Sequence, residues 1–229
     1  MRLTLRKIIK ETEDISSFIF EPNKPLAWYA GQFMHYTLPH TPTDSRHTDR
    51  YFTISSAPHE KHIMLTTRFA GQSSSTFKTA LFALKPGDTI EAEGPEGDFT
   101  VDDMENQNIV FIAGGIGITP IRSILFDLEH RGKSVWGRLI YASRDEHILW
   151  QTELEKFANR HPKFNIFNVI GGSGITESVI EQLVPDFNKT VFYISGPEVM
   201  MESVAKKLHA LTVQPQNIKR DFFPGYASI

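Results

Sequence analysis

The chain has 229 residues, of which 40% are hydrophobic and 22% are charged, as in ordinary globular proteins. Its formal net charge of −3 is spread evenly, and no segment has the basic excess of a nucleic-acid-binding surface. Without cysteine the chain cannot form a disulfide, a thiolate metal site or an iron–sulfur cluster of its own. No apolar run has the length of a signal peptide core or a membrane span, so we expect a cytoplasmic protein that does not insert into membranes.

Residues 1–100 show the pattern of short strands separated by turns. Apolar and polar residues nearly alternate in six stretches, which is typical of a small antiparallel β-barrel or sandwich. These stretches cover residues 3–9, 15–20, 32–38, 50–54, 62–68 and 89–94. One helix is predicted over Ser75–Leu84, because serines can cap its start and a Lys-Pro-Gly-Asp turn follows it.

From residue 101 onward, strands alternate with helices. Strands are predicted over residues 109–113, 135–141, 164–169, 191–195 and 218–219. Helices are predicted over residues 119–130, 150–159, 176–184 and 197–211. This alternation predicts a parallel sheet with helices on both faces. We therefore expect two domains, an antiparallel β-barrel over residues 1–100 and an α/β nucleotide-binding domain over residues 101–229.

A glycine cluster lies where the first strand of the α/β domain turns into a helix. In Gly114-Gly115-Ile116-Gly117 the missing side chains let backbone N–H groups approach a pyrophosphate at a helix N-terminus. Thr119 then suits the helix cap and Pro120 the first helical position. The cluster departs from the spaced G-x-G-x-x-G fingerprint, so a tight turn without a ligand stays open on these residues alone.

Five segments, in order along the chain, resemble motifs of the ferredoxin–NADP reductase family. Arg50–Ser56 resembles the flavin signature Arg-x-Tyr-Ser/Thr-x-x-Ser, and Ala113–Pro120 resembles the nucleotide-binding segment. Gly94–Phe99 is similar to the domain-joining segment, Ser195–Pro197 to a Cys-Gly-Pro motif, and Asp221–Phe223 to an acid-x-aromatic ending. The resemblance implies a flavin-binding barrel, with FAD preferred over FMN, followed by a domain that binds NADPH or NADH.

The resemblance assigns the flavin contacts to the barrel. Arg50 would neutralise a flavin phosphate, as a guanidinium fork can. Phe52 replaces the tyrosine that lies along the isoalloxazine, keeping the stacking surface but not the hydroxyl. Thr53 and Ser56 would donate to the flavin near its reactive nitrogen or to its phosphate arm, and Ser56 is a predicted catalytic residue. A second phosphate contact is expected at the start of the predicted helix, where plain capping is nearly as good an explanation for the serines. It comprises Gly71, Ser74, Ser75 and Thr76.

The resemblance assigns the nicotinamide nucleotide to the second domain. Its pyrophosphate contacts would be Gly114, Gly115, Gly117, Thr119 and Pro120. Ser195, a predicted catalytic residue, stands where the family commonly has a cysteine near the hydride-donating carbon, and Gly196 and Pro197 follow it.

Two further positions bear on the nucleotide. Ser143 and Arg144 follow the predicted strand 135–141, and a cation there favours the 2′-phosphate of NADPH, although Asp145 and Glu146 come next. The third predicted catalytic residue is Phe223, a ring over the flavin face that the nicotinamide must occupy. A hydrophobic latch onto the nucleotide domain is the alternative for this ring.

The implied activity is that of an NAD(P)H-dependent flavoprotein reductase. Electrons would pass from NAD(P)H through FAD to a redox acceptor protein such as ferredoxin, flavodoxin or an oxygenase component. A free-flavin or quinone reductase is an alternative enzyme, and a flavin-binding electron-transfer or regulatory subunit is a non-enzymatic one. A nucleotide-binding module without flavin also stays open. No metal site is predicted, since His59 and His62 lack the His-Glu-x-x-His spacing.

Overall fold

A computed structural model describes residues 1–105, 107–171 and 174–221 of the chain. The chain divides into two compact units. The first comprises Met1–Thr100 together with Arg122–Asp127, and the second comprises Val101–Ile121 together with the chain from Leu128 onward.

The first unit is built on a six-stranded sheet. Its strands are β1 (Arg2–Lys10), β2 (Ile15–Pro22), β3 (Phe33–Thr37), β4 (Asp49–Thr53), β5 (Ile63–Arg68) and β6 (Thr89–Glu96). They lie in the order β4-β3-β6-β1-β2-β5, and neighbouring strands are antiparallel. Just beyond β4, the Ser55 N–H donates to the Met64 carbonyl of β5 at 2.8 Å, so the two edges of the sheet meet. The predicted antiparallel barrel is confirmed.

Alternating side chains of these strands fill the barrel interior. Helix α1 (Thr76–Ala83) covers this interior with Phe77 and Leu81, and the Ser75 hydroxyl accepts the Lys78 N–H at 3.3 Å to cap its start. The fully buried aliphatic and aromatic residues of the strands include Leu3, Leu5, Phe18, Phe20, Met34, Tyr36 and Leu65. The predicted period of two therefore produces one continuous core.

The second unit is a five-stranded parallel sheet with four α-helices. Its strands are β7 (Asn108–Gly114), β8 (Gly137–Ser143), β9 (Phe164–Ile170), β10 (Thr190–Ser195) and β11 (Ile218–Arg220). Its helices are α3 (Gln151–Arg160), α4 (Glu177–Leu183), α5 (Glu198–Ala210) and the two ends of α2 (Ile118–His130), whose middle, Arg122–Asp127, belongs to the first unit. The strand order is β11-β10-β7-β8-β9, and neighbouring strands are parallel.

Both faces of this sheet are covered by helices. Val110 and Ile112 of β7 pack in one apolar cluster with α4 and α5. Phe111 points to the other face, where its ring lies 6.4 Å from that of Phe164, which in turn meets Phe157 of α3 at 5.7 Å. The predicted α/β architecture is confirmed. Among the described residues, no helix has the length and apolar character needed to cross a membrane.

Most element boundaries differ from the predicted ones by one or two residues, and two of the differences have a clear structural cause. A 3₁₀ turn over Gly115–Gly117 leads directly into α2, which begins at Ile118, so Thr119 lies inside the first turn and is not the predicted cap. Strand β8 begins at Gly137, two residues late, and extends to Ser143. A Cβ on Gly137 would lie 2.4 Å from the Ile109 carbonyl oxygen, so this close approach fixes where the strand starts.

A buried ion pair fixes the turn that follows the barrel strand β4. Arg122 Nη1 of α2 lies 2.9 Å from Glu60 Oε2 and 3.0 Å from the Ser55 carbonyl. The two side chains are 7% and 22% exposed. Desolvation alone would raise the pKa of Glu60, but the hydrogen bonds and charge of Arg122 outweigh it and lower that pKa. The ion pair between Glu60 and Arg122 therefore holds the turn in place. The sequence pattern did not indicate that these two residues would meet.

Replacing the acid of this pair should destabilise the first unit. We expect Glu60→Gln to lower the free energy of unfolding by about 2–3 kcal/mol at pH 7, because it leaves a buried guanidinium without its counter-charge. Since the pKa of Glu60 is lowered in the fold, the difference is present above pH 4.5 and shrinks as the pH falls below it. Denaturant titration at several pH values measures this loss.

The matched control is Glu129→Gln. Glu129 pairs with Arg160, which is 50% exposed, so the cost should stay below about 1 kcal/mol. Equal losses of unfolding free energy in Glu60→Gln and Glu129→Gln would show that the ion pair between Glu60 and Arg122 is no stronger than an exposed pair.

Candidate functional site

Arg50 of β4 has its guanidinium group buried under the loop that precedes the strand. The side chain is 3% exposed, and its Nη2 donates to both carboxylate oxygens of Asp44, at 2.6 and 2.7 Å. Its Nη1 donates to the carbonyls of Arg46 and Asp49, each at 2.6 Å. The Nε is buried and has no hydrogen-bond partner in the part of the chain that the structure describes. One N–H of a permanent cation therefore remains for a further acceptor.

The start of α1 adds further positive potential beside Arg50. The Thr76 N–H, the first of the helix, donates to Asp44 Oδ2 at 3.1 Å. Lys78 lies half-buried in the same turn, and desolvation together with three neighbouring guanidinium groups lowers its pKa. Those groups belong to Arg46, Arg68 and Arg50. Cations gathered at a helix N-terminus form a site that favours a phosphate.

Phe52 lies on the same face of β4 as Arg50, two residues further along the strand. Its half-buried ring is 5.7 Å from the ring of Phe77 and 5.9 Å from that of Tyr36. The adjacent Thr53 is buried, and the hydroxyls of Tyr36 and Ser55 are buried without a partner among the described residues. A partly accessible aromatic ring beside a cationic phosphate site fits a nucleotide with a flat ring system, such as FAD.

The other predicted flavin contacts divide into two groups. Gly71, with a φ of 58°, and Ser74, whose hydroxyl accepts the Ala70 N–H at 2.7 Å, lie in the turn that leads to Ser75 and α1. Ser56 is fully buried, and its hydroxyl donates to the His62 carbonyl at 2.7 Å and accepts the Met64 N–H at 3.1 Å. Its catalytic role stays a prediction, and its observed hydrogen bonds hold β5 against the flavin signature.

The glycine turn of the second unit depends on close packing. A Cβ on Gly117 would lie 2.1 Å from the Ser195 carbonyl oxygen, so glycine alone lets the turn approach the end of β10. Gly115 has a φ of +53°, and no described atom lies within 4 Å of its Cβ position. The Tyr141 hydroxyl donates to the Gly115 carbonyl at 2.9 Å and orients this peptide. The turn thus has the fixed, open backbone that a pyrophosphate requires.

The predicted nucleotide contacts lie together at the carboxyl edge of the parallel sheet. In the strand register Ser195 is beside Ala113, and Gly114 is beside Ala142. Ser143 is the last residue of β8 and the exposed Arg144 follows it, whereas Pro197 precedes the first residue of α5. This edge is where parallel α/β sheets bind their ligands. The predicted gating ring, Phe223, lies outside the described residues.

A buried carboxyl group lies beside Ser195. The Ser195 hydroxyl donates to Asp221 Oδ2 at 2.8 Å, and Asp221 is 4% exposed. Desolvation raises the pKa of Asp221 to about 7, against the opposing effect of the Ser195 hydrogen bond. No role for Asp221 is predicted from the sequence, although this residue is the acid of the acid-x-aromatic segment.

Comparison with known proteins decides the family. Residues 2–101 match the model of an oxidoreductase FAD-binding domain, and residues 111–206 match that of an oxidoreductase NAD-binding domain. The chain belongs to the ferredoxin–NADP reductase family. It therefore carries the FAD-binding and NAD-binding domains of a flavoprotein oxidoreductase, as the resemblance of its motifs implied.

Several of the sequence relatives are named as subunits. The chain is 28% identical over 216 residues to the glycine betaine monooxygenase reductase subunit of Pseudomonas aeruginosa, covering 86% of this chain and 57% of the relative. It is 31% identical over 212 residues to a component of the Na⁺-translocating NADH-quinone reductase of Actinobacillus pleuropneumoniae, covering 78% and 49%. The chain thus spans about half the length of these relatives.

Solved structures of the family share the fold. The cytochrome b5 reductase domain of Ulva prolifera nitrate reductase has a TM-score of 0.83 at 23% identity, with 96% of each chain covered. The ferredoxin–NADP⁺ reductase of Plasmodium falciparum has a TM-score of 0.81 at 19% identity, covering 96% of this chain and 94% of its own. At these identities the likeness concerns the fold alone.

The raised pKa of Asp221 predicts a pH dependence of stability. The folded protein holds this proton up to a pH of about 7, whereas the unfolded carboxyl group releases it near 3.8, so stability falls as the pH rises between these values. We expect the wild type to lose about 2 kcal/mol of unfolding free energy, relative to Asp221→Asn, between pH 5 and pH 8. Chemical denaturation of both proteins at each pH measures this difference.

Ser195→Ala provides the control. Because the Ser195 hydroxyl lowers the pKa of Asp221, its removal should move the fall in stability to higher pH. Parallel stability profiles for the wild type and Asp221→Asn would contradict the raised pKa.

Proposed function

We propose that this reductase passes electrons from NADPH or NADH through FAD to a one-electron acceptor protein. The observation that carries this proposal is the pair of sites, a cationic flavin signature in the first unit and a glycine turn at the carboxyl edge of the parallel sheet in the second. We assign residues 1–100 to FAD and residues 101–229 to the nicotinamide nucleotide. A chain with both sites has the parts needed for hydride transfer.

Residues of the barrel would hold FAD by its pyrophosphate and by its isoalloxazine ring. Arg50 and Lys78, with the first amides of α1, carry the charge that a flavin phosphate needs, and Phe52 offers the surface for the ring system. Bound FAD supplies the chemistry, since it accepts two electrons as hydride and gives them up one at a time. The protein supplies position and electrostatics, with Thr53 next to the ring-stacking residue.

Residues of the sheet edge would hold NAD(P)H. The peptide between Gly115 and Gly117 would receive the pyrophosphate, and Ser195 would lie near the nicotinamide. Asp221 accepts a hydrogen bond from the Ser195 hydroxyl, so it fixes the direction in which that hydroxyl points. Ser195 keeps the small polar side chain that the family commonly provides with cysteine.

The acceptor is proposed from the relatives and from composition. One relative is named as the reductase subunit of a monooxygenase, which supports an acceptor protein. Another is named as a subunit of an NADH-quinone reductase, which keeps a quinone as the alternative acceptor. Since these 229 residues contain no cysteine, an iron–sulfur relay would have to lie outside them. An oxygenase component, a ferredoxin and a flavodoxin are the proposed acceptor proteins, and a free-flavin or quinone reductase is the alternative.

Anaerobic reduction tests the activity. We expect the purified protein to be yellow, to bleach with NADPH or NADH, and to reduce an acceptor protein faster than free flavin or a quinone. The matched variant Gly117→Val should keep the flavin but lose rapid bleaching, because its side chain would collide with the Ser195 carbonyl.

Each other result points to a different function. A colourless protein would indicate a nucleotide-binding module, and a yellow protein that neither nucleotide bleaches would indicate a regulatory or electron-transfer subunit. Turnover confined to free flavin or quinone would replace the acceptor protein with the alternative substrate.

Nucleotide preference is testable at Arg144. This exposed cation follows β8, where a 2′-phosphate would add a charge-assisted contact, so Arg144→Ala should lower kcat/KM for NADPH by about tenfold and leave that for NADH unchanged. Steady-state kinetics with both nucleotides gives the ratio. An unchanged ratio removes Arg144 from the site. Arg160→Ala, at an exposed position on α3, is the control for a general loss of surface charge.

A further inference from the structure

The loop before the flavin signature is fastened to the start of α1. This segment, His40–Thr48, is called here the Asp44 loop. His40 Nε2 lies 2.9 Å from the Thr76 hydroxyl, which also accepts the Asp44 N–H at 3.0 Å. The other ring nitrogen of His40 lies 2.7 Å from the Leu38 carbonyl. A carbonyl can only accept, so Nδ1 donates to it, and in the neutral ring Nε2 accepts a hydrogen bond from the Thr76 hydroxyl. The Thr76 side chain therefore holds the loop at His40 and at Asp44.

The carboxylate of Asp44 contacts the same groups that the flavin phosphate is proposed to use. It accepts the Thr76 N–H at 3.1 Å and both hydrogen bonds from Arg50 Nη2. It also accepts the Arg46 N–H at 2.9 Å. Arg50 and Thr76 were assigned to phosphate from two separate segments of the sequence, yet they converge on one carboxylate of the chain itself. Two backbone N–H groups and a guanidinium make up an anion site in which Asp44 is the anion.

Access to Arg50 is closed by this arrangement. The Arg50 side chain is 3% exposed, and its Nη atoms are engaged by Asp44 and by loop carbonyls. A phosphate can reach these Nη donors only if the Asp44 loop moves away from α1. The buried Nε, which has no partner among the described residues, would gain an acceptor in that rearrangement.

We infer that Asp44 is a built-in anion that closes the flavin phosphate site of the flavin-free protein, and that the phosphate of FAD displaces it. This inference rests on the proposed placement of FAD at Arg50. The exchange is favourable in charge, because a pyrophosphate carries more negative charge than one carboxylate. Arg46, Arg68 and Lys78 surround the site, and Arg68 also forms an ion pair with Asp14 at 3.3 Å.

Closure by Asp44 lowers the apparent affinity for FAD in proportion to the closed population. A loop closed in about 90–99% of molecules would weaken binding by about ten- to a hundredfold. Riboflavin lacks a phosphate and would bind without opening the loop. Asp44 therefore acts on the phosphate-bearing part of the ligand and not on the ring.

Flavin titration of the full-length, flavin-free protein tests this. We expect Asp44→Asn to lower the Kd of FAD by at least about tenfold and to leave the Kd of riboflavin unchanged. The matched control is Asp14→Asn, which removes an equal charge from the same cation cluster without touching the loop, and it should change the FAD Kd by less than about threefold. Melting temperatures of the flavin-free proteins should fall for Asp44→Asn, since its ion pair is lost.

A weaker FAD affinity in Asp44→Asn would overturn the inference and make Asp44 a positioning residue for Arg50. Equal gains in FAD affinity in Asp44→Asn and Asp14→Asn would show that the gain comes from net charge alone, and this result would also overturn the inference. If Asp44→Asn does not fold, His40→Ala removes the other fastening and should tighten FAD binding several-fold.

Loop movement has its own readout. The chain contains no cysteine, so Ser45→Cys gives a single labelling site at an exposed position of the Asp44 loop. The emission of an environment-sensitive dye there should change when FAD is added and not when riboflavin is added. A dye response to neither ligand, in a protein that binds FAD, refutes the displacement while leaving the proposed function intact. Failure of the wild type to bind FAD at all would instead refute the proposed function.

Discussion

A buried guanidinium group needs hydrogen-bond acceptors. The first unit of this oxidoreductase is arranged around two such guanidinium groups. Arg50 takes the carboxylate of Asp44 and two loop carbonyls, and Arg122 takes Glu60 and the Ser55 carbonyl. The two cations thus fix the segments on both sides of the flavin signature. Without these acceptors neither charge could be buried, because desolvation would cost several kcal/mol.

The second unit uses close contact instead of charge. Gly117 packs against the Ser195 carbonyl, and Gly114 packs against the Met200 side chain, so that the turn and the end of β10 meet without side chains between them. The peptide of Gly115 is held by a tyrosine from the neighbouring strand. A rigid backbone with open space above it follows from these contacts, and this is what phosphate recognition by N–H groups requires.

Much of this architecture could be predicted from the sequence. The period of two in residues 1–100 and the strand–helix alternation beyond them gave the correct sheets, because local patterning and burial agree there. The family resemblance assigned both the glycine turn and Ser195 to the nicotinamide nucleotide, and the strand register places the two at the same edge of the sheet. Their roles in binding stay predictions.

What could not be predicted depends on contacts between distant residues. Asp44 lies in a polar loop whose composition indicates only a turn, and its pairing with Arg50 and Thr76 requires the folded barrel. Glu60 lies in a polar stretch between two predicted strands, and its partner is a cation 62 residues away. The predicted start of α2 is one residue too late, because a 3₁₀ turn continues directly into the helix and no capping residue marks the boundary.

In the proposed placement of the nicotinamide near Ser195, the buried carboxyl group of Asp221 has a consequence for nucleotide binding. Because desolvation raises the pKa of Asp221 to about 7, this carboxyl group can gain or lose its proton in the neutral pH range. The nicotinamide ring is neutral in the reduced nucleotide and positively charged in the oxidised one. A cation near Ser195 would favour the ionised form of Asp221, so the oxidised nucleotide would expel a proton on binding and the reduced one would not. The heat of binding would then depend on the ionisation enthalpy of the buffer for one redox state of the ligand only.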